Sequence, residues 1–295
     1  MISALTANQK GALLMMGSMA GFTLNDGFIK LLGQNLPLSQ ILTLRGLLVS
    51  VLIFGLARAL GALRFNLSRR DWGLVIGRSV AEAVTTYFFL SALMVMPIAN
   101  ITAILQMLPL TVTLAAVLVF GETVGWRRSL AIAAGFLGML LIVRPGPNGF
   151  DSGTGYAIAA VACITARDLF TRRLSAEVPS MTVSLVAALS VTAFGALWGL
   201  GEDWKPISYD AGAMLLGASG MIFVGYLFSV MAMRVGDVSA VAPFRYTGLL
   251  WALLLGWAIF DSWPDALTLV GAAIVVAAGV FSLMREAPRR ISEPE

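Results

Sequence analysis

Thr23–Pro37 reads TLNDGFIKLLGQNLP, and 142 residues further on Thr165–Pro179 reads TARDLFTRRLSAEVP. Overlaid, the stretches align Thr23 with Thr165, Asp26 with Asp168, Phe28 with Phe170, Lys30 with Arg172, Leu32 with Leu174 and Pro37 with Pro179. A shift of 140 brings Ala92, Val95 and Phe120 onto Ala232, Val235 and Phe260. Charged and proline matches inside apolar sequence mark an internal duplication, with repeats expected over 1–147 and 148–295.

The sequence around these stretches is that of a membrane protein. Of 295 residues 58% are hydrophobic and only 12% charged, where a soluble domain carries about 25% charged residues. The apolar residues fall in blocks of about 20, the length that crosses a ~30 Å hydrocarbon core. Helices are expected near 11–32, 38–58, 72–95, 99–120, 125–143, 155–173, 179–200, 211–234, 238–260 and 264–284. Breakers mark the connections: Pro37, Pro97, Pro145-Gly146-Pro147, Pro179, Pro206 and Pro264. The block from Gly11 outruns a signal-peptide core, so it is expected to be the first spanning helix rather than a cleaved leader.

Ten helices make five per repeat. An odd number forces the second repeat to enter from the opposite side, so the expectation is an all-α membrane protein of two inverted five-helix repeats. Lys and Arg give the orientation. With the N-terminus cytoplasmic, that side holds Lys10, Arg58, Arg64, Arg69, Arg70, Arg127, Arg128, Arg172, Arg173, Arg234, Arg285, Arg289 and Arg290, against Lys30, Arg144 and Lys205 opposite. Both termini are therefore expected in the cytoplasm. The net charge of +4 reads as membrane orientation rather than nucleic-acid binding. Inverted repeats supply two related conformations open to opposite sides, which is a transporter architecture.

Several chemistries are disfavoured. There is no histidine, the commonest general base and metal ligand. Cys163 is the single cysteine, so no intramolecular disulfide or multi-cysteine metal site can form. Gly217-Ala218-Ser219-Gly220 spells the pattern of an intramembrane serine protease, which needs a histidine base. No phosphate-binding G-x-x-x-x-G-K-[ST] loop is present. Gly17-x-x-x-Gly21 reads as close helix packing. Hence no catalytic residue, metal or cofactor is expected, and the chain is not expected to be an enzyme.

What remains is a set of costly intramembrane ionisable groups: Asp26, Arg45, Arg78, Glu82, Arg167, Asp168 and Arg245. Arg78 and Glu82, at i,i+4, can pair on one helix face. Arg78 and Arg167 lie near helix ends and can instead snorkel. Arg45 and Arg245 lie deeper, which favours packed or cavity-facing positions. Asp26, Glu82 and Asp168 are candidates for gating or proton coupling. The candidate substrate-binding residues are Tyr87, Asn100, Thr102, Gln106, Tyr226, Arg245, Tyr246 and Trp251. Aromatic rings with a few hydrogen-bonding groups suit an amphipathic organic ligand better than a bare ion. For a single ring such as Tyr226 or Trp251, ordinary packing or an interfacial belt is the competing role.

With Arg45 in the second helix, the run from Asn100 through Gln106 and Pro109 to Phe120-Gly121-Glu122, Ala242-Pro243-Phe244-Arg245-Tyr246-Thr247 and Leu253-Leu254-Leu255-Gly256-Trp257, the chain resembles the EamA type of the drug/metabolite transporter superfamily. Ser262 stands opposite Glu122 in the second repeat, a departure at a structural position. The resemblance implies a secondary transporter of the bacterial inner membrane with a cavity lined by helices three, four, eight and nine. Its size and aromatic middle are similar to YddG-type amino-acid exporters, implying export of aromatic or other large neutral amino acids. The ninth-helix stretch is equally similar to S-adenosylmethionine uptake carriers. An uncoupled facilitator or channel is the other alternative. The expected partners are a small-molecule substrate, the lipid bilayer and possible driving protons, with the chain a monomer. Pro37, Pro97, Pro179 and Pro243 are candidate hinges.

Overall fold

The computed structural model describes residues 5–121, 125–144, 151–175, 177–236 and 238–286. Glu122, Pro145-Gly146-Pro147, Arg289 and Arg290 lie outside them, as do the side chains of Arg128, Ser239 and Arg285. Ten helical rods run in order: α1 (Ala7–Leu32), α2 (Leu38–Ala59), α3 (Arg69–Val95), α4 (α4a Ile98–Leu105, α4b Leu108–Phe120), α5 (Trp126–Val143), α6 (Ser152–Arg172), α7 (Ser180–Trp198), α8 (Tyr209–Val235), α9 (α9a Val238–Val241, a 3-10 turn Ala242–Tyr246, α9b Thr247–Phe260) and α10 (Ala266–Glu286). Six of these rods (α2, α3, α4, α7, α8 and α9) are long and apolar enough to cross a membrane by composition alone.

Proline chemistry explains the ends and the interruptions. Pro37, Pro97 and Pro179 stand at the N-caps of α2, α4a and α7, where φ is already set and no N–H is missed. They start helices and do not kink them. The breaks in α4 and α9 are a difference from the unbroken helices expected over 99–120 and 238–260. Pro109 lies in the first turn of α4b. It offers no N–H to the carbonyl four residues back, and its ring crowds that carbonyl, so α4a stops at Leu105. In α9, Pro243 falls within the 3-10 turn.

The ends of α4b and α9b also correspond. Gly121 caps α4b at φ 67°, and Asp261, 140 residues later, caps α9b at φ 45°. A side chain in this left-handed region costs about 1–2 kcal/mol, against glycine's entropic cost of about 0.5–1 kcal/mol. Asp261→Gly should therefore stabilise the protein by about 0.5 kcal/mol, read as a higher unfolding midpoint in detergent.

The chain forms two compact units: residues 24–95 with 155–223, and residues 1–23, 96–154 and 224–295. Each draws on both halves of the sequence. In the first, α2 and α3 both pack on α7. A Cβ on Gly195 would lie 2.9 Å from the Leu42 Cβ, so α2 and α7 meet at backbone distance. In the second unit, α5 packs along α10 and α4a against α9b. A Cβ on Gly138 would come 2.9 Å from the Gly271 carbonyl, and one on Gly271 2.6 Å from the Gly138 carbonyl. In lipid there is no hydrophobic drive between helices, so such small-residue contacts carry the packing.

α10 is capped from outside its span. Asp265 accepts the Thr268 N–H at 2.9 Å and pairs with Arg144. The Thr268 backbone N–H first, and the Arg144 guanidinium second, hold its carboxyl below the usual carboxylate range. The stabilisation is thus present above the unfolded carboxylate pKa of about 3.9 and fades as pH falls through the folded value. Asp265→Asn should lower the unfolding midpoint near neutral pH, and the difference from the parent chain should vanish in strong acid.

Candidate functional site

The two broken rods meet at their breaks. Gln106, just past the end of α4a, and Tyr246, just before α9b, are 140 residues apart and occupy equivalent repeat positions. The Gln106 amide donates from Nε2 to the Tyr246 carbonyl at 3.3 Å. Gln106 is 9% exposed and Tyr246 6%. The prolines stand on opposite sides of the breaks: Pro109 follows Gln106 by three residues, and Pro243 precedes Tyr246 by three. Irregular backbone at membrane depth leaves carbonyls without helical partners, and a side-chain amide is one group that can satisfy them.

Around this pair, the Tyr246 hydroxyl is buried without a hydrogen-bond partner among the described residues, as is the side-chain amide oxygen Oδ1 of Asn100. The Tyr246 hydroxyl lies over Gly279 of α10, where any Cβ would overlap it. Trp251 donates its indole N–H to the Met16 carbonyl at 3.1 Å. The Tyr226 ring meets Phe22 edge-on at 5.3 Å. Thr102 is half-buried on α4a, while Arg245 is exposed on the 3-10 turn rather than packed. Seven of the eight substrate-binding candidates thus belong to one compact unit, and Tyr87 belongs to the other.

Tyr87 lies among aromatic rings: Trp198 at 5.1 Å, Phe88 at 5.3 Å, Tyr156 at 6.4 Å and Phe194 at 6.5 Å, all crossing it steeply. Tyr156, Phe194 and Trp198 were missed in reading the sequence. The repeat overlay holds the signal, because the equivalents of Tyr87, Tyr156, Phe194 and Trp198 are Leu227, Leu14, Leu52 and Leu56. Each ring stands where the related position in the other half holds a leucine.

The acidic candidates are all partnered, and all sit in the unit holding Tyr87. Asn25 donates to Asp26 at 2.9 Å and accepts from the buried Arg45 at 3.0 Å. The structure bears out a packed position for Arg45. Arg167 donates through Nε to Asp168 at 2.9 Å and through Nη1 to Glu82 at 3.2 Å, and Arg78 lies 3.7 Å from Glu82. The i,i+4 pair expected from sequence is formed, and Arg167 is paired rather than snorkelling free. Asn25 escaped the sequence reading because it carries no charge. Among the described residues no group of histidine, cysteine and carboxylate side chains could hold a metal ion.

A chain of ten helices in two repeats, with both fourth helices broken at related positions, defines a class: polytopic membrane transporters built on inverted repeats. The EamA-like transporter family model matches twice, over residues 9–144 and 151–284. The chain belongs to the EamA-like transporter family, within the drug/metabolite transporter superfamily, and is a multi-pass inner-membrane transporter. It is 24% identical over 297 residues to an S-adenosylmethionine uptake transporter of Rickettsia prowazekii, covering 100% of this chain and 99% of that one. It is 27% identical to a riboflavin transporter of Vibrio cholerae, covering 83% of each, and 25% identical to the pseudopaline exporter CntI of Pseudomonas aeruginosa, covering 92% and 94%. A solved crystal structure at 17% identity shares the fold, with a TM-score of 0.66 over 96% of this chain and 99% of that one. These relatives are transporters of small molecules, not enzymes.

Proposed function

We propose that the chain is a secondary carrier that moves a small metabolite with an α-amino-acid end and a large apolar or planar body by alternating access. The observation behind this reading is the pair of related breaks at Gln106 and Tyr246, bonded to each other through the Gln106 amide. Discontinuous helices are where inverted-repeat transporters bind substrate and change shape. In this reading Asn100, Thr102 and Gln106 hydrogen-bond the polar end, and Arg245 pairs with the carboxylate. Tyr87, Tyr226, Tyr246 and Trp251 contact the body. Asp26, Glu82 and Asp168 act in gating or coupling. Both repeats lie in one chain, so the monomer suffices.

Export of aromatic or other large neutral amino acids is the first assignment. S-adenosylmethionine is the second, favoured by similarity along the whole chain to a transporter named for its uptake. Both carry the same amino-acid end. The test is flux of radiolabelled phenylalanine, tryptophan and S-adenosylmethionine in proteoliposomes, with and without a pH gradient. Saturable flux of an amino acid above empty liposomes supports the first assignment, and flux of S-adenosylmethionine alone supports the second. Flux indifferent to the gradient identifies an uncoupled facilitator. No flux of any of the three, in folded protein, overturns the substrate reading.

A further inference from the structure

The repeat gives each position in one half a counterpart in the other, so a charge cluster present at only one of two related interfaces acts on one face of the membrane. A Cβ on Gly77 of α3 would lie 3.1 Å from the Phe170 ring of α6, and one on Gly217 of α8 would lie 3.2 Å from the Phe28 ring of α1, so each glycine packs beneath a ring. These are the same contact, related by the 140- and 142-residue shifts. Beyond it the two interfaces differ. On α3 and α6 stand Arg78, Glu82, Arg167 and Asp168, joined by contacts of 2.8–3.7 Å. Arg78 of α3 also reaches Thr171 of α6 at 3.2 Å. The positions equivalent to Arg78, Glu82 and Arg167 are Ala218, Ile222 and Asn25. Only Asp168 has a charged equivalent, Asp26, and its charged neighbour comes by way of Asn25 from Arg45 on α2, a helix outside the α1–α8 pair.

We propose that Arg78, Glu82, Arg167 and Asp168 form a one-sided electrostatic clasp. It holds α3 to α6 in this conformation and must part before the pathway opens at that end, whereas the related α1–α8 interface has Ala218, Ile222 and Asn25 in place of Arg78, Glu82 and Arg167. Charges in a membrane-spanning segment are costly, and their pairing across two helices sets the energy of separating those helices. When the helices part, water solvates the separated charges and offsets part of that energy, which suits a contact that must form and break. The clasp deepens the carrier reading and rests on it, because an end that never opens needs no clasp.

The chain supplies its own reporter. Cys163 is the single cysteine and is half-buried. On α6 it lies seven residues from Tyr156 and from Phe170 and four from Arg167, so helical spacing puts it on the stripe that faces α3. The experiment measures the rate at which a membrane-impermeant maleimide labels Cys163 in the full chain in nanodiscs, where both faces are reachable. Glu82→Gln and Arg167→Gln should each raise the rate about fivefold, the population shift that follows loss of an ion pair worth about 1 kcal/mol. Arg167→Lys, which keeps the positive charge between Glu82 and Asp168, should stay near the parent rate. If Arg167→Gln does not fold, Glu82→Gln and Asp168→Asn carry the measurement. Unchanged labelling in the folded neutral variants, or an Arg167→Lys chain that labels as fast as they do, overturns the clasp. No substrate enters this assay, so a wrong substrate assignment leaves its outcome unaffected. Transport without faster labelling would leave the carrier standing and place its gate elsewhere.

Discussion

Gln106→Ala is expected to cut transport at sub-saturating substrate about tenfold while leaving the yield of folded protein unchanged. The two effects separate on magnitude. Hydrogen bonds between helices in membranes contribute about 0.6 kcal/mol on average, too little to unfold the chain when the 3.3 Å bond to the Tyr246 carbonyl is lost. In transport the same amide holds two broken helices in register and, in the proposed site, binds the substrate's polar end. Losing one such bond in a buried site costs about 1–2 kcal/mol, roughly a factor of ten. Tyr246→Ala should behave likewise, and its buried hydroxyl over Gly279 gives a control. Tyr246→Phe removes only that hydroxyl and should retain the fold. The check is initial flux in proteoliposomes, normalised to monodisperse protein. Normal flux in both alanine variants would remove the breaks from the site.

Gly271→Ala is expected to destabilise the protein by about 1–3 kcal/mol, the usual cost of overpacking a close contact, and Gly271→Val by more. The new Cβ would lie 2.6 Å from the Gly138 carbonyl oxygen, 2.8 Å from Ile142 and 3.1 Å from Leu141. A backbone carbonyl cannot rotate aside as the end of a side chain can, so α5 and α10 must move apart. Gly138→Ala meets the Gly271 carbonyl at 2.9 Å and should cost somewhat less. Gly155, whose Cβ would touch nothing within 4 Å, is the control. Unfolding in mixed micelles measures all three. Loss of stability at Gly155 equal to that at Gly271 would contradict the packing argument.

Much of this architecture could be read in the chain, because membrane insertion writes itself in length and apolarity. The boundaries expected for α2 (38–58) and α5 (125–143) fall within one residue of Leu38–Ala59 and Trp126–Val143. The breaks in α4 and α9 were not read. Pro109 and Pro243 were visible, but they stand at unlike positions in the two repeats, so neither marks the shared break at Gln106 and Tyr246. Nor could the sequence show that each compact unit mixes both halves. That grouping depends on pairings such as α2 with α7 and α5 with α10, which follow from three-dimensional packing of similar apolar surfaces. The ionic residues were identified by their rarity in apolar sequence. Apart from the Arg78–Glu82 pair, their partners were not, because Asn25 and Thr171 look like ordinary polar residues until Arg45 and Arg78 are seen to reach them.

The most direct test of alternating access is counterflow. Proteoliposomes preloaded with unlabelled substrate are diluted into a trace of the same compound radiolabelled, with no pH gradient and no membrane potential. A carrier that exposes one site to one side at a time must exchange, so the label should rise inside above its equilibrium level and then decay. Label that climbs only to equilibrium, with a rate indifferent to the preload, would mean a continuous path through the protein and would contradict alternating access.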